Sequence, residues 1–331
     1  MTNFSQNKRL KQLSVVVAIL TRDRPRMLKA LLHSLASLQA PNNCLVRFLI
    51  VENNESNSQE ETVKSIRPLI TFGTIHYILE TSLGIATARN TAAKEAARFG
   101  SDLLVFVDDD ETVPTEWLSN LIDGYRESDA VLLGGPIRAA PLIGKHNWTE
   151  RLMHRNIFRR YLRNERRAAR QASLRKTSRT TIVTNNWIGQ VSLFTDYKLR
   201  FDEKLNWSGG EDTKFYSDVR ALKLTTGWIP DAPVYETIPR DRLTLQYQYN
   251  RAKDQSTTSF RKKLKAKRIA IYTLPVSVAI KSVVMVSLLL LIPVTLGATY
   301  LSFARTSGWI AGRISAIGGA KSEHYRTVTG E

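Results

Sequence analysis

The sequence predicts an α/β protein in which a mostly parallel sheet is flanked by helices on both faces and followed by an apolar helical tail. Three observations predict it. Short continuous apolar runs recur at residues 14–20, 46–51 and 103–107, the length and composition of strands buried on both faces. Between them stand segments with apolar residues at helical spacing, so strand and helix alternate as a parallel sheet requires. Each run also ends in a polar cluster, at the carboxyl edge where such sheets bind ligands.

The elements follow in order. The run at 14–20 is ended by Thr21, Arg22, Asp23 and Arg24; Pro25 stands where helices commonly begin, and Met27, Leu28, Leu31, Leu32, Leu35 and Leu38 follow at helical spacing. The run at 46–51 ends in Glu52, Asn53 and Asn54, before a helix near 60–66 and a strand at 74–79. Gly84, Ala88, Arg89 and Asn90 then lead into an Ala-rich helix expected at 91–99, with Asn90 placed to cap it. After the third run come four acids, Asp108, Asp109, Asp110 and Glu111, and a helix containing Trp117, Leu118 and Leu121. Farther on lie residues 184–189, a strand-like segment at 190–194, the run from Trp207 through Gly209 and Gly210 to Glu211 and Asp212, and a helix at 213–222. Tyr235, Glu236 and the arginines Arg240 and Arg242 precede a helix at 243–253 that carries Tyr247, Tyr249 and Arg251.

The chain is 331 residues long and 43% hydrophobic, enough for one large domain or two ordinary ones. Its formal net charge of +18 implies an anionic partner: nucleic acid, an anionic membrane surface or phosphorylated substrates. Nucleic acid is disfavoured, because the basic region lacks interleaved aromatics apart from Trp148, Phe158 and Tyr161 and no nucleic-acid module is visible. A lone cysteine, Cys44, excludes an intrachain disulfide and a cysteine-built metal site, and fits a reducing compartment. Residues 1–12 are polar and hold no apolar core of signal-peptide length.

Two basic stretches stand out. Residues 148–179 hold eleven Arg or Lys against Glu150 and Glu165, either a mobile basic helix or loop that folds over a polyanionic or membrane-borne substrate, or a solvated insertion. Residues 261–268 are almost all basic and precede an apolar stretch at 269–303 broken by Pro275, Lys281 and Pro293. Its part at 282–303 is 22 residues without a charge, enough to cross a bilayer, whereas 269–280 is too short. Both flanks are basic, so a re-entrant or interfacial hairpin stands beside a true span. The expected organisation is a polar tail at 1–13, a sheet domain at 14–255 with a basic insertion at about 145–180, and a basic linker with a membrane-associated helical tail at 256–331.

The acids carry the chemistry. Adjacent carboxylates repel and raise one another's pKa, and a hard divalent cation relieves them. In an extended segment Asp108 and Asp110 point one way and Asp109 the other, and one or two carboxylates with substrate phosphates are how Mg²⁺ or Mn²⁺ is usually held. A solvated acidic turn before a helix is the plainer reading. Glu52 and the two asparagines suit a base or ribose, or a turn. Arg89 suits a diphosphate, or is a surface arginine. Gly209 and Gly210 permit tight backbone, and a carboxylate after them is a general base or a helix cap. Glu236 is a candidate late metal ligand, and Arg242 a candidate phosphate ligand.

Taken together, Thr21 with Arg22, Glu52 with Asn53 and Asn54, Gly84 with Ala88, Arg89 and Asn90, the Asp108–Asp110 triplet, and Gly209 to Asp212 form an ordered set. The set resembles glycosyltransferase family 2, more narrowly the bacterial exopolysaccharide transferases of the succinoglycan type, over roughly residues 14–252. The resemblance implies a GT-A fold, a nucleotide-diphosphate sugar donor, a UDP-sugar in first place, and inversion at the anomeric carbon. It places Glu52 at the nucleobase, Arg89 near the base or diphosphate, and Asp108 at the ribose. Asp110 would bind Mn²⁺ or Mg²⁺, Asp212 would deprotonate the acceptor hydroxyl, and Glu211 would orient the acceptor. Thr21, Arg22, Asn54 and Asp109 complete the donor side; Asn186, Trp207, Arg242 and Arg251 are candidates for acceptor or phosphate. Glu236 stands where many relatives have a metal-binding His. The Gln-x-x-Arg-Trp motif of processive synthases is absent, which favours one sugar per acceptor. The expected role is a membrane-associated bacterial enzyme at the cytoplasmic face of the inner membrane, acting on a lipid-linked saccharide alongside other polysaccharide-assembly proteins. Transfer to polyprenyl phosphate, and a non-enzymatic polyanion- or membrane-binding protein that ignores the acids, are the alternatives.

Overall fold

The computed structural model describes residues 11–174, 180, 182–266 and 271–318. The chain divides into two units, one built from Met1–Ala140 and Tyr161–Thr237, the other from Pro141–Arg160 and Ile238–Gly330.

In the first unit the alternation read from the sequence is realised as β1 (Leu13–Thr21), α1 (Pro25–Ala36), β2 (Cys44–Glu52), α2 (Glu60–Ile66), β3 (Thr74–Leu79), α3 (Ile85–Arg98) and β4 (Leu103–Asp108). It continues through β5 (Glu111–Thr112), α4 (Trp117–Arg126), β6 (Leu132–Gly134), β7 (Ile137–Ala139), α5 (Trp148–Ser173), β8 (Asn186–Gln190), α6 (Ser192–Thr195), α7 (Glu211–Ala221), β9 (Thr226–Trp228) and β10 (Val234–Glu236). The main sheet has the order β3-β2-β1-β4-β8-β6-β9, and β5, β10 and β7 make a small second sheet. Strands β1, β2, β3 and β4 run parallel, and β8 opposes both its neighbours.

Strand β1 is central, and its alternating side chains feed two cores. Val15, Val17 and Ile19 pack with Leu28, Leu32 and Leu35 of α1, Ile66 of α2 and Trp117 of α4. Val16, Ala18 and Leu20 pack with Ala88, Ala92 and Ala96 of α3 and with Phe215 of α7. Strands buried on both faces have no polar side to show, which is why these runs read as unbroken apolar sequence.

Two local expectations are corrected, and the basic stretch, left open between helix and loop, is resolved. Helix α3 begins six residues before residue 91, so Asn90 is not its cap; Gly84 holds the preceding position at φ 145°. The strand expected at 190–194 ends at Gln190, where Val191 starts a turn that drives Leu193 and Phe194 into an aromatic cluster. There Phe201 and Phe215 stack with centroids 4.5 Å apart, and Phe194 lies 5.2 Å from Phe215. The basic stretch is a helix through Ser173, α5, while 175–179 lie outside the described residues.

The second unit holds α8 (Leu245–Ala266), α9 (Leu274–Val294) and α10 (Tyr300–Ile317), with the opening turns of α5. The stretch at 282–303 is not one segment. Pro293 sits at the end of α9, Leu296 and Gly297 take left-handed φ of 49° and 80°, and the chain reverses into α10. Asn156 and Arg155 of α5 hold that corner, donating to the carbonyls of Gly297 at 3.0 Å and Leu296 at 2.8 Å. Helix α10 meets α8 through Ala304, Gly308, Gly312 and Ala316, spaced by four and buried. A Cβ on Gly308 would stand 2.2 Å from the Tyr249 carbonyl oxygen, so the two backbones approach as only glycine allows. Gly308→Ala is therefore expected to separate α8 from α10 and lower stability by about 1–3 kcal/mol, read as a fall in melting temperature; an unchanged transition would contradict the close contact.

Candidate active site

The acids emerge where β4 lies beside β1, with Leu20 opposite Asp108 in the parallel register. That register brings the end of β1 to the acids. Thr21 Oγ1 donates to Asp109 Oδ2 at 2.9 Å, and Arg24 Nη1 donates to Asp109 Oδ1 at 2.8 Å and lies 3.5 Å from Asp110 Oδ2. The strand ends at Asp108 and the next two residues turn, so the alternation assumed for an extended segment does not apply: Asp109 and Asp110 share Arg24, while Asp108 Oδ1 lies 3.9 Å from Arg89 Nη2. Asp109 is an internal tie between two strands, not an outward ligand.

Electrostatics at this edge is unbalanced. Burial pushes the Asp108 carboxyl up to about 7, with Arg89 opposing and Asp110, Asp109 and Glu236 adding to the rise. Burial takes Asp109 up to about 6 against the pull of Arg24. Glu111 lies well above the ordinary range, through burial first and then Asp108 and Asp110. Its Oε2 accepts the Asp108 backbone N–H at 2.9 Å, and its Oε1 is buried without a hydrogen-bond partner among the described residues. Glu236 stands opposite Glu111 in the β5–β10 pair and accepts the Tyr161 hydroxyl at 2.6 Å.

These are hard oxygen donors, suited to Mg²⁺ or Mn²⁺. Among the described residues no three His, Cys, Asp or Glu side chains converge to hold an ion alone. The residues fit a cation completed by oxygens of a bound phosphate, the usual arrangement for Mg²⁺, and the unanswered Glu111 oxygen marks where positive charge is missing.

The second acidic stretch reaches the first through Arg89. Asn206, 120 positions from Ala86, accepts the backbone N–H groups of Ala86 at 2.9 Å and Thr87 at 3.1 Å, capping α3 from outside the helix. A Cβ at Gly84 would fall 2.1 Å from the Asn206 side chain, so only glycine fits beneath that cap. The Gly84 N–H donates to Asn53 Oδ1 at 2.7 Å, and Asn53 Nδ2 bonds the carbonyls of Glu80 and Ser82. One turn into α3, buried Arg89 donates from Nη1 to Oε1 of buried Glu211, with its guanidinium 5.7 Å from the Phe201 ring. Glu211 opens α7 directly after Gly209 and Gly210, whose φ values of 71° and 85° turn the chain sharply. Asp212, the next residue, is half-buried, and its Oδ1 accepts the Thr213 N–H at 2.6 Å. Arg89 thus faces Glu211 and Asp108 rather than standing open at the edge.

Glu52 is wholly buried at the end of β2. It accepts from the Ser58 N–H at 3.1 Å, the Ser58 hydroxyl at 2.5 Å, the Gln59 N–H at 2.9 Å and the Tyr77 hydroxyl at 2.5 Å. Burial raises its pKa, but these bonds outweigh burial and the carboxyl titrates below the usual glutamate range. Glu52 therefore shapes the loop at 53–59. Asn54 bonds Asp23 at 2.8 Å across the same edge, and the Arg22 guanidinium lies 5.9 Å from the Trp207 ring, bringing a donor-side and an acceptor-side candidate together. Asn186 is corrected: it is 1% exposed and spends its amide on Trp117 Nε1 at 3.1 Å, the Pro136 carbonyl at 2.9 Å and the Ala232 carbonyl at 2.7 Å, so it braces the core and leaves nothing for an acceptor. Arg242 and Arg251 belong to the second unit.

Arg24, Tyr161 and Asn206 were not legible as site residues, and Glu111 was read as the fourth acid of the run without a role of its own. Arg24 had a signal, being one of two arginines directly after the strand beside the acids; a cap 120 residues away leaves none.

The family model described as Glycosyl transferase family 2 matches residues 14–197. The succinoglycan biosynthesis protein ExoM of Rhizobium meliloti (strain 1021) is 27% identical over 237 residues, 71% of this chain and 70% of that protein. The structure is similar to S. aureus TarS 1-349 in complex with UDP-GlcNAc, with a TM-score of 0.50 and 13% identity over 93% of this chain and 92% of that one. That likeness shows the fold. The chain spans 39% of a longer TarS chain that it also matches, at a TM-score of 0.48.

Two outcomes check this geometry. Arg89→Met strands a buried carboxylate and is expected to lower the unfolding free energy by about 3–5 kcal/mol, while Asp212→Asn, bonded only to its neighbour, stays within about 0.5 kcal/mol; equal losses in denaturant titrations would remove Arg89 as the tie. For Glu52, the folded pKa lies below the unfolded one, so its stabilisation is present above the ordinary glutamate value and is lost as pH falls through the depressed one. Glu52→Gln should lower stability at neutral pH and flatten its decline in acid, measured by denaturant midpoint against pH.

Proposed function

We propose, from the premise that the chain belongs to glycosyl transferase family 2, that it moves one sugar from a UDP-sugar to a hydroxyl of a lipid-linked saccharide, inverting the anomeric carbon, at the cytoplasmic face of a bacterial membrane. One observation carries the reading. Arg89 reaches both Asp108 and Glu211, so acidic stretches about a hundred residues apart border one site, a donor edge and an acceptor edge. The name of the succinoglycan relative supports a polysaccharide acceptor, and UDP-GlcNAc in the TarS complex supports the donor class. A candidate span in the tail, Leu274–Val294, supports membrane association.

Each residue then has a task. The loop held by Glu52, with Asn54, receives the base, and Asp108 receives the ribose. Thr21 and Arg24 fix Asp109 and with it the turn that presents Asp110. Asp110, with Glu236 (low in the order of ligands because Tyr161 holds it), would hold Mn²⁺ or Mg²⁺ together with diphosphate oxygens. When bound, that ion neutralises charge on the leaving diphosphate. Glu211, paired with Arg89, sets the start of α7, and Asp212 faces the acceptor from there. The acceptor hydroxyl passes its proton to Asp212 as its oxygen bonds the anomeric carbon, and the bond from that carbon to the diphosphate oxygen breaks, releasing the nucleoside diphosphate. A single displacement of this kind inverts the centre.

The test is a donor panel on detergent-purified protein, following nucleoside diphosphate release from UDP-, GDP- and dTDP-sugars. One donor is expected to turn over slowly with Mn²⁺, to stop with EDTA, and to stop in Asp110→Asn. With a saccharide acceptor, Asp212→Asn should reduce transfer by about 10²–10⁴-fold while retaining donor binding. Folded protein that neither binds nor turns over any donor would sink the reading.

A further inference from the structure

Charge is not spread evenly over this chain. Pro141–Arg160 with Ile238–Gly330 carry 20 Lys and Arg against 4 Asp and Glu, whereas the rest carries 28 against 26. Nearly all of the excess positive charge thus belongs to the second unit, the same unit that contains the apolar helix α9. By length and composition α9 could cross a bilayer: 21 residues, a mean hydropathy of 2.3, and no part of that window buried.

Its packing argues against crossing. Helix α9 touches α10 and the residue before it at several points along one side. Leu274 and Val278 pack with Ala316, the Lys281 ammonium lies 5.9 Å from the Trp309 ring, and Thr299, just before α10, donates to the Leu288 carbonyl at 3.0 Å. Helix α10 is bound in turn to α8, where Ser256 donates to the Trp309 carbonyl at 2.8 Å and Thr257 to the Gly312 carbonyl at 3.1 Å. Helix α8 carries Arg251, Lys253, Asp254, Arg261 and Lys263, and α10 carries Arg305 and Arg313. A crossing α9 would draw this charged pair into the hydrocarbon, where each charge is strongly disfavoured.

The surface that α9 turns outward is apolar. Val276, Ile280, Val283, Leu290 and Val294 are between 59% and 75% exposed and form a central stripe, which Val284, Val286, Leu289 and Leu291, between 39% and 51% exposed, widen on both sides into a broad apolar face. Soluble monomers seldom leave such a continuous face to water. Helix α9 is apolar nearly all round, with Lys281 its one charge; packed on α10 along one side and set beside basic groups, it can lie in the interface with its broad free face in the acyl chains.

We propose that the second unit docks on an anionic bilayer through α9 as an in-plane anchor, with the stripe from Val276 to Val294 immersed in one leaflet and both ends of the helix on the same side of the membrane. This rests on the membrane association proposed above and adds its topology and its lipid preference.

The experiment uses the full chain with Cys44→Ser and a single new cysteine, Tyr272→Cys or Leu296→Cys, at opposite ends of α9, positions that are 80% and 79% exposed. Protein is mixed with vesicles of phosphatidylcholine alone or with phosphatidylglycerol, sedimented, and treated outside with a membrane-impermeant maleimide. Expected are at least tenfold more binding to the anionic vesicles, labelling of both positions from outside, and loss of binding in Val283→Asp combined with Leu290→Asp, with helical content by circular dichroism retained. One position protected from the maleimide would make α9 a span and overturn the proposal. Absence from both vesicle types, with a doubled mass in solution, would give the stripe to a second copy and also overturn it. Donor turnover in detergent is read separately: its persistence in the Val283→Asp, Leu290→Asp variant separates the anchor from the chemistry, and its absence in all forms counts against the transferase reading while the vesicle result stands.

Discussion

Several carboxylates gathered at the end of a buried strand repel one another, and a fold can keep them only by supplying cations from elsewhere in the chain. Two arginines do so here. Arg24, just past β1, holds Asp109 and lies near Asp110, while Arg89, one turn into α3, holds Glu211 and lies near Asp108. The second is the more consequential, because Glu211 and Asp212 are adjacent: fixing the buried one against a guanidinium determines where the half-buried one stands. Removing half of such a buried pair leaves an uncompensated charge, so the chemistry and the folding stability of this edge share the same atoms. What Arg24 and Arg89 leave unbalanced, the raised Asp108 and Glu111 carboxyls and the unpartnered Glu111 oxygen, is the part of the site that a cation and phosphates would complete.

Much of the sheet was legible because strands covered on both faces must be continuously apolar, and the runs ending at Leu20, Val51 and Val107 could be little else. The acids were legible for the same reason: polarity is conspicuous directly after such a run. The sequence was less informative where a side chain acts across the fold. Asn186 reads as a polar residue near a site but is consumed by Trp117, Pro136 and Ala232, and nothing local distinguishes the two fates. Glu52 stands out at the end of its run, yet its partners Ser58, Gln59 and Tyr77 come from the following loop and strand. At 190–194 the apolar pattern was sound and its period misleading, since Leu193 and Phe194 reach the aromatic cluster as well from a helical turn as from a strand. In the tail, hydropathy alone ran past Pro293, and the left-handed residues Leu296 and Gly297 decided where the chain reverses.

The two units divide the physical work by kind. One is nearly balanced in charge and concentrates its electrostatics at a single sheet edge, where a few carboxylates and arginines are matched atom by atom. The other carries charge in bulk beside an apolar helix, the combination that favours adsorption rather than recognition. A bulk field of that sort attracts any polyanion, whereas the sheet edge discriminates through geometry.

The cap on α3 also bears on how the protein is made. Asn206 closes the first turn of the helix that carries Arg89, yet it lies 120 residues downstream of Ala86, beyond every strand of the main sheet except β9. On a chain emerging from the ribosome, that helix start stays open until the loop before Gly209 has been synthesised and has folded back. The same loop delivers Glu211 to Arg89. Cap and counter-ion therefore arrive together, so the edge at Asp108 and the edge at Glu211 are completed by the same late loop.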